Sequence, residues 1–244
     1  MGSRHLKSHP APRFWPIPRK EWRWAVKPRP GPHSQERCIP LAVILRDVLH
    51  YAETLKEARK VLNEGKVLVD GVVRRDYKFP VGLMDVISIP AAGKHFRVVP
   101  HPQRFLALQE IDEEEAQFKL CRIENKTTVK GGHIQLNLHD GRNYLVRVKD
   151  PFNPVEDTFS TLDTIKISLP DGELLDHYPF GEGVYAVIID GQNVGAVGKV
   201  SSITPAPKKR RNLVEIRSDG EKYTTIADYI FVVGKERIEV TLIR

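Results

Sequence analysis

At four points an Asp-Gly pair sits between short runs rich in Val, Ile, Leu and Tyr: Asp70-Gly71, Asp140-Gly141, Asp190-Gly191 and Asp219-Gly220. Gly takes positive φ without a Cβ clash, and Asp tolerates the left-handed region, so the pair suits the tight turn of a β-hairpin. KVLVD and VVRRDY flank the first pair, and HIQLNLHD and RNYLVRVKD the second. VYAVIID and QNVGAVGKV flank the third, and LVEIRS and EKYTTIADYIFVV the fourth. Apolar residues alternate with polar ones in these runs, which is the period of a half-buried strand. VVPHPQRFLALQEI and FKLCRIENKTTV read the same way, with the acidic run Asp112–Glu115 between them as a solvated turn. Most of the chain beyond Gly65 is therefore expected to be antiparallel β-structure.

Two helices are expected ahead of the first hairpin. PLAVILRDVLHYA, with Pro40 near its first turn, puts Leu41, Ile44, Leu45, Val48 and Leu49 at helical spacing. Thr54-x-x-Glu57 is a capping box, in which two side chains satisfy free N–H groups at a helix start. The apolar face that follows is Leu55, Ala58, Val61 and Leu62, and Gly65 stops the helix as a left-handed cap. Lys56, Arg59, Lys60 and Asn63 fall on the opposite face.

The first 40 residues obey different rules. Seven prolines precede Cys38, and all three tryptophans (Trp15, Trp22, Trp24) lie here. PAPRFWPIPRKEWRW and KPRPGPH form neither a long helix nor a central strand, so this arm is expected to run extended over a surface. It holds nine basic and two acidic side chains, a formal +7. The other 204 residues carry 29 of each sign. A near-neutral body with a basic arm points to a polyanion, either nucleic acid or an anionic membrane surface. Bases stack on Trp, while Arg and Lys meet phosphates. The arm's candidate contacts are therefore Arg4, Lys7, Arg13, Trp15, Arg19, Lys20, Trp22, Arg23 and Trp24. Some of the rings are expected to anchor the arm and others to face the ligand, on which the arm would order.

Several classes fall away. Apolar residues make up 41% of the chain, enough for packed cores. No run reaches the roughly 18 apolar residues of a membrane span, and no secretory h-region is expected at the start. Leu6 stands where a myristoylation motif wants Ser or Thr, and Pro10, Pro12, Pro16 and Pro18 forbid an amphipathic transit helix. Cys38 and Cys121 form no CxxC pair and are expected as reduced thiols. His139-Asp140 lacks companions at metal-ligand spacing, so no metal is expected. No phosphate-cradling loop or cofactor fingerprint appears, so no cofactor and no small-molecule substrate are expected.

The run over residues 41–90, both helices included, resembles a known family. Glu57-Ala58-Arg59, Gly65-Lys66-Val67, Val69-Asp70-Gly71 and Asp85-Val86-Ile87 stand in the order of the alpha-L (S4-type) RNA-binding module. One departure is Asp70, where many members have Asn. The resemblance implies that the second helix and the hairpin bind structured RNA through Lys56, Arg59, Lys60, Lys66, Arg74 and Arg75. Further on, YPFGEGVYAVIIDGQNVGAVGKVSSI resembles the KOW motif of ribosomal proteins and transcription elongation factors, although its Gly195 and Gly198 also suit an ordinary barrel bend. PAPKKRR places Lys208, Lys209, Arg210 and Arg211 in a loop, as phosphate contacts, a localisation signal or a solvated run.

The whole order, including Leu136-Asn137-Leu138-His139-Asp140-Gly141-Arg142-Asn143, resembles the S4e family of small-subunit ribosomal proteins of archaeal and eukaryotic type. The resemblance implies a non-enzymatic, cytoplasmic, ribosome-bound protein at one copy per small subunit. Its partners would be the small-subunit rRNA and neighbouring ribosomal proteins, with no membrane contact, and Arg142 joins the candidate RNA contacts. The expected fold is a multi-module α+β chain: a basic Pro/Trp-rich arm (1–40), an alpha-L module (41–92), a central β domain (93–172), a KOW-like β module (173–207) and a C-terminal basic loop with strands (208–244). The β modules are expected to be antiparallel and barrel-like.

Two rivals remain at this point. One is an RNA-modifying enzyme of pseudouridine-synthase type, since alpha-L modules also accompany such enzymes, with Asp140 as its best catalytic candidate. The other is a dissociable KOW-type RNA or transcription factor.

Overall fold

The computed structural model describes residues 5–150, 155–205, 212–218 and 220–242. Arg4, Lys208, Lys209, Arg210, Arg211 and Asp219 lie outside the described residues. Among the described residues the strands form five sheets with antiparallel pairing, α-helix is confined to two segments between Leu41 and Asn63, and single 3-10 turns occur as late as Ala227–Tyr229. This is the α+β, mostly antiparallel class expected. Contacts divide the chain into two units: Met1–Val98 with Leu108–Gln117, and Val99–Ala107 with Phe118–Arg244.

The first unit opens with a two-residue ladder, β1 (Leu6–Lys7) against β2 (Trp24–Ala25). Strand β3 (Cys38–Pro40) leads directly into α1 (Leu41–Val43), with Pro40 as its N-cap. The helix then widens into a π-helical turn over Ile44–Val48, where the Leu49 N–H bonds the Ile44 carbonyl at 2.9 Å. It stops at His50, whose φ is +54°, short of the Ala52 end that the apolar spacing suggests. Leu41, Ile44 and Leu45 are fully buried, while Val48 and Leu49 are only half-buried, so the wider turn rotates the end of the stripe away from the core.

The second helix, α2 (Leu55–Asn63), matches its sequence closely. Thr54 Oγ1 accepts from the Glu57 N–H at 3.2 Å, and Glu57 Oε2 accepts from the N–H groups of Glu53 and Thr54. At the far end Gly65 has φ +73°, and the Lys66 N–H returns to the Val61 carbonyl. Ala58 and Leu62 face the core; Lys56, Arg59, Lys60 and Asn63 are exposed.

Strands β4 (Leu68–Val69) and β5 (Val72–Val73) pair across Asp70 and Gly71, at φ +51° and +74°. Two left-handed residues in succession make the turn whose twist matches a hairpin. Asp70 also reaches sideways, its Oδ1 accepting the Val86 N–H at 2.9 Å. Strand β6 (Pro80–Gly82) pairs with β3, and β7 (Val86–Ile89) joins β4 to β8 (Lys94–His101). With β9 (Phe105–Ile111) the order of this sheet is β5-β4-β7-β8-β9.

The second unit holds two five-stranded sheets. The first has the order β12-β11-β10-β13-β14, from β10 (Phe118–Thr128), β11 (Ile134–Leu138), β12 (Asn143–Val146), β13 (Thr164–Ser168) and β14 (Leu174–Tyr178). Cys121, Ile123, Leu136, Ile165 and Ile167 fill its buried side. The second has the order β18-β17-β16-β15-β19, from β15 (Tyr185–Ile188), β16 (Val197–Thr204), β17 (Leu213–Ser218), β18 (Glu221–Ile226) and β19 (Ile230–Gly234).

The Asp140-Gly141 hairpin forms as expected, with Gly141 at φ +76°. The Asp190-Gly191 connection does not close in two residues. Positions 189–196 all lie between the strands, and β16 runs on to Thr204 rather than ending at Val200. A second left-handed glycine, Gly195 at φ +86°, packs against Pro102 and takes the extra length. Buried Arg122 on β10 donates to the carbonyls of Asp228 and Ile230 at 2.7 and 2.8 Å, tying the first sheet to the entry of β19.

Candidate nucleic-acid interface

Within the described part of the arm, side chains bond to the arm's own backbone. Arg19 donates to the carbonyls of Ser8, Ala11 and Pro12, and Ser8 Oγ returns a bond to the Arg19 carbonyl. Arg19 is therefore a cross-link within the arm, its donors occupied by backbone. Trp15 is 2% exposed, and its indole N–H donates to the Cys38 carbonyl at 2.7 Å. It offers no face for stacking and leaves the set of candidate contacts to become an anchor.

Trp22 and Trp24 behave oppositely, at 61% and 52% exposure. Trp24 has the His5 ring 5.4 Å away and the Arg23 guanidinium at 5.2 Å. Lys7, Lys20, Trp22 and Arg23 line an open depression of about 430 Å³. Arg13 is exposed nearby in sequence. Cations and open aromatic faces thus come together where the arm turns, the composition that takes phosphates and unstacked bases.

His33 joins the arm to the helix–hairpin module. Its Nε2 lies 3.0 Å from Asp85 Oδ2, with both side chains nearly closed to solvent. Asp85 Oδ2 also accepts the Gly82 N–H at 2.8 Å. The imidazole rests on Gly82, where a Cβ would come within 2.3 Å of the ring, so only glycine admits it. Neither His33 nor Arg29, which pairs with Asp76 at 3.1 Å, was legible as part of the site.

On the module, α2 presents Lys56, Arg59 and Lys60 to solvent, and the turn after it presents Lys66. Lys66 Nζ sits 2.6 Å from Glu64 and holds that carboxyl below its usual range. Arg75 is exposed on the segment after β5, and Arg74 is half-buried with its guanidinium 4.6 Å from the Phe79 ring. Arg59 lies 4.0 Å from the Tyr77 ring, and Lys78 Nζ lies 5.5 Å from the same ring. Of the six module residues expected, five are exposed and Arg74 is half-buried, and Tyr77, Lys78 and Phe79 join Arg59 and Arg74 as neighbours. Their sequence signal was the interleaving of basic and aromatic residues in RRDYKF.

The second unit answers the question posed by Asp140. Its Oδ2 is 2.9 Å from Lys119 Nζ, and both side chains are fully buried. Burial raises the carboxyl's pKa, but the Lys119 ammonium, His139 and the bonds from Lys119 and the Arg142 N–H outweigh it, leaving about 2. An ionised carboxylate sealed against a lysine has no proton to trade near neutral pH and no open face for substrate. Arg142 Nε sits 3.4 Å from the same carboxylate and is one-third exposed, so it is partly engaged within the turn.

Cys121 Sγ, His139 and Asp140 do come within 4.8 Å of one another, a grouping the sequence spacing hid. The Lys119 ammonium already occupies the carboxylate there, and His139 Nδ1 accepts the Arg122 N–H. This donor set suits a salt-bridged core better than a cation. Cys38 and Cys121 are both free thiols, and burial pushes Cys38 up to about 12. The same unit has an open groove of about 1240 Å³ beside the β15–β16 connection, lined in part by Tyr185, Tyr223, Lys199, Arg217 and Arg237. Among the described residues no helix is long and apolar enough to cross a membrane.

Comparisons with known proteins cover the chain from end to end. The RS4NT (NUC023) domain matches residues 1–36, the S4 domain residues 39–87, and the Ribosomal family S4e model residues 92–174. Over 242 residues the chain is 56% identical to small ribosomal subunit protein eS4 of Aeropyrum pernix, spanning 99% of this chain and 96% of that protein. It is 57% identical over 236 residues to the eS4 protein of Staphylothermus marinus, spanning 96% and 94%. The crystal structure of the 30S ribosomal protein S4e from Thermoplasma acidophilum superposes with a TM-score of 0.68 at 32% identity. That match covers 82% of this chain and 96% of the other.

Proposed function

Because this chain belongs to the S4e family of ribosomal proteins, we propose that it is a structural constituent of the small ribosomal subunit, bound to the subunit's rRNA and to neighbouring ribosomal proteins. The near-full-length relationship to eS4 proteins carries this reading. The geometry supports it in kind. Exposed cations on α2 and the following turn, and open tryptophan faces on the arm, suit a folded RNA. The contacts are Lys7, Arg13, Lys20, Trp22, Arg23 and Trp24 on the arm, and Lys56, Arg59, Lys60, Lys66, Arg74 and Arg75 on the module. Arg4, Arg142 and the run Lys208–Arg211 complete the set.

The protein stays on the ribosome at one copy per small subunit and acts without catalysis, taking no small-molecule substrate. The buried Lys119–Asp140 pair supports that last point, since it closes the best catalytic candidate to solvent. Sucrose-gradient fractionation after a high-salt wash tests the reading. Retention with the small subunit at unit stoichiometry is expected. Release by the wash, with the protein running free, would favour a dissociable factor instead.

A further inference from the structure

The module's basic face contains a guanidinium that is held in place yet chemically unoccupied. Arg59 is exposed on α2, and its Cζ stacks 4.0 Å from the centroid of the Tyr77 ring. Among the described residues it forms no hydrogen bond and no ion pair, unlike Arg29, Arg46, Arg97 and Arg122, whose guanidiniums all reach carboxylates.

The ring beneath it is fixed by backbone. Asp76 Oδ1 accepts the Lys78 N–H, and the Asp76 carbonyl accepts the Phe79 N–H, both at 3.0 Å. The carbonyls of Tyr77 and Phe79 then accept the N–H groups of Ala42 and Leu41 at the start of α1. The one carboxylate of the segment, Asp76, is paired to Arg29. Nothing acidic in this turn is left to draw Arg59 away from the ring.

A guanidinium lying on an aromatic face keeps its in-plane N–H fork open while losing rotamer freedom. That fork matches a phosphate bidentately, and a donor ordered before binding has less entropy to lose on contact. We propose that Tyr77 is a positioning residue for RNA binding: it orients the Arg59 fork toward a backbone phosphate of folded RNA and does not itself stack on a base. The proposal rests on the reading that this face contacts rRNA. Lys78 Nζ, 5.5 Å from the same ring, adds a second cation at the platform.

The experiment is a mutant cycle with the full chain and an in-vitro transcribed small-subunit rRNA, read as affinity across a salt series. Tyr77→Leu is expected to weaken binding about 2- to 5-fold, the usual range of an exposed cation–π contact. Its salt slope should stay that of the parent, because no charge is lost. Tyr77→Phe keeps the ring and should bind like the parent. Arg59→Lys keeps the charge, loses the fork, and should weaken binding to a similar degree even if Tyr77→Leu fails to fold. In an Arg59→Ala background Tyr77→Leu should cost nothing further.

An additive loss in that background would mean that Tyr77 meets the RNA directly, and would overturn the proposal. So would parent-like binding by Tyr77→Leu or by Arg59→Lys while Arg59→Ala binds weakly. Parent-like binding by Arg59→Ala itself would instead bring down the reading of this face as an RNA contact, and the proposal with it.

Discussion

Lys119 and Asp140 stand 21 residues apart in sequence and meet as an ion pair 2.9 Å long, closed to solvent on both sides. Removing one partner of such a pair leaves an uncompensated buried charge, at a cost of about 3–5 kcal/mol. Asp140→Ala should therefore lower the thermal midpoint sharply. Lys119→Met combined with Asp140→Leu should recover much of the loss, because no charge is left stranded. Calorimetry on the parent and the two variants checks this. A purely catalytic Asp140 would leave the midpoint unmoved.

The same pair sets an acid limit. Asp140 is held at about 2, below its ordinary 3.8, so the folded state favours its ionised form. A depressed carboxyl adds stability that is complete above the unfolded value and fades as pH falls toward the folded value. The Asp140 share of stability should therefore be flat from pH 7 to about 5 and decline between about 4 and 2. Asp140→Asn should remove that part of the acid dependence, as melting curves at stepped pH would record.

The three tryptophans should separate into two behaviours. Trp15 is buried and bonded to the Cys38 carbonyl, so Trp15→Ala should destabilise the fold by about 3–5 kcal/mol. Trp22 and Trp24 are open, so their alanine variants should melt like the parent and lose about 1–3 kcal/mol of RNA affinity for each ring that stacks a base. Paired melting and RNA-binding measurements distinguish the two. A shared melting loss would mean that the exposed rings are structural.

The features legible in the sequence are those decided within a few residues. The Thr54–Glu57 cap, the Gly65 stop and the Asp70-Gly71 turn depend only on near neighbours, and each formed as read. The exposure of Lys56, Arg59 and Lys60 followed from helical spacing alone. Long-range partners gave no such signal. Nothing in Pro/Trp-rich sequence says that Trp15 will find Cys38, that His33 will find Asp85, or that Arg19 will bond four carbonyls of the arm's own backbone, those of Ser8, His9, Ala11 and Pro12. The longer Asp190 connection was missed for the same reason, since Gly195 closes it against distant Pro102. The π-turn of the first helix lies within a regular apolar spacing and turns Val48 and Leu49 away from the core, so periodicity alone did not reveal it.

The arm's anchors also bear on truncation. Deleting residues 1–37 removes Trp15 and His33, leaving Asp85 buried without its imidazole partner. The shortened chain should melt well below the parent, and so should the single variant His33→Leu. Losses of RNA binding after that deletion would then mix unfolding with lost contacts. Parent-like melting of the shortened chain and of His33→Leu would show the anchors to be unimportant.

Charge reversal on the module separates contact from fold. Lys56, Arg59 and Arg75 are exposed and, among the described residues, enter no ion pair. Lys56→Glu, Arg59→Glu and Arg75→Glu should leave the unfolding free energy within about 0.5 kcal/mol of the parent, the ordinary range for surface substitutions, and so leave the melting midpoint nearly unmoved. Each should weaken rRNA binding, and each lost phosphate contact should flatten the slope of log affinity against log salt by about 0.9. That slope carries the decision. If the three reversals weaken binding while the slope stays unchanged, the residues act through shape rather than phosphate contact. If the midpoint falls with the affinity, they support the fold.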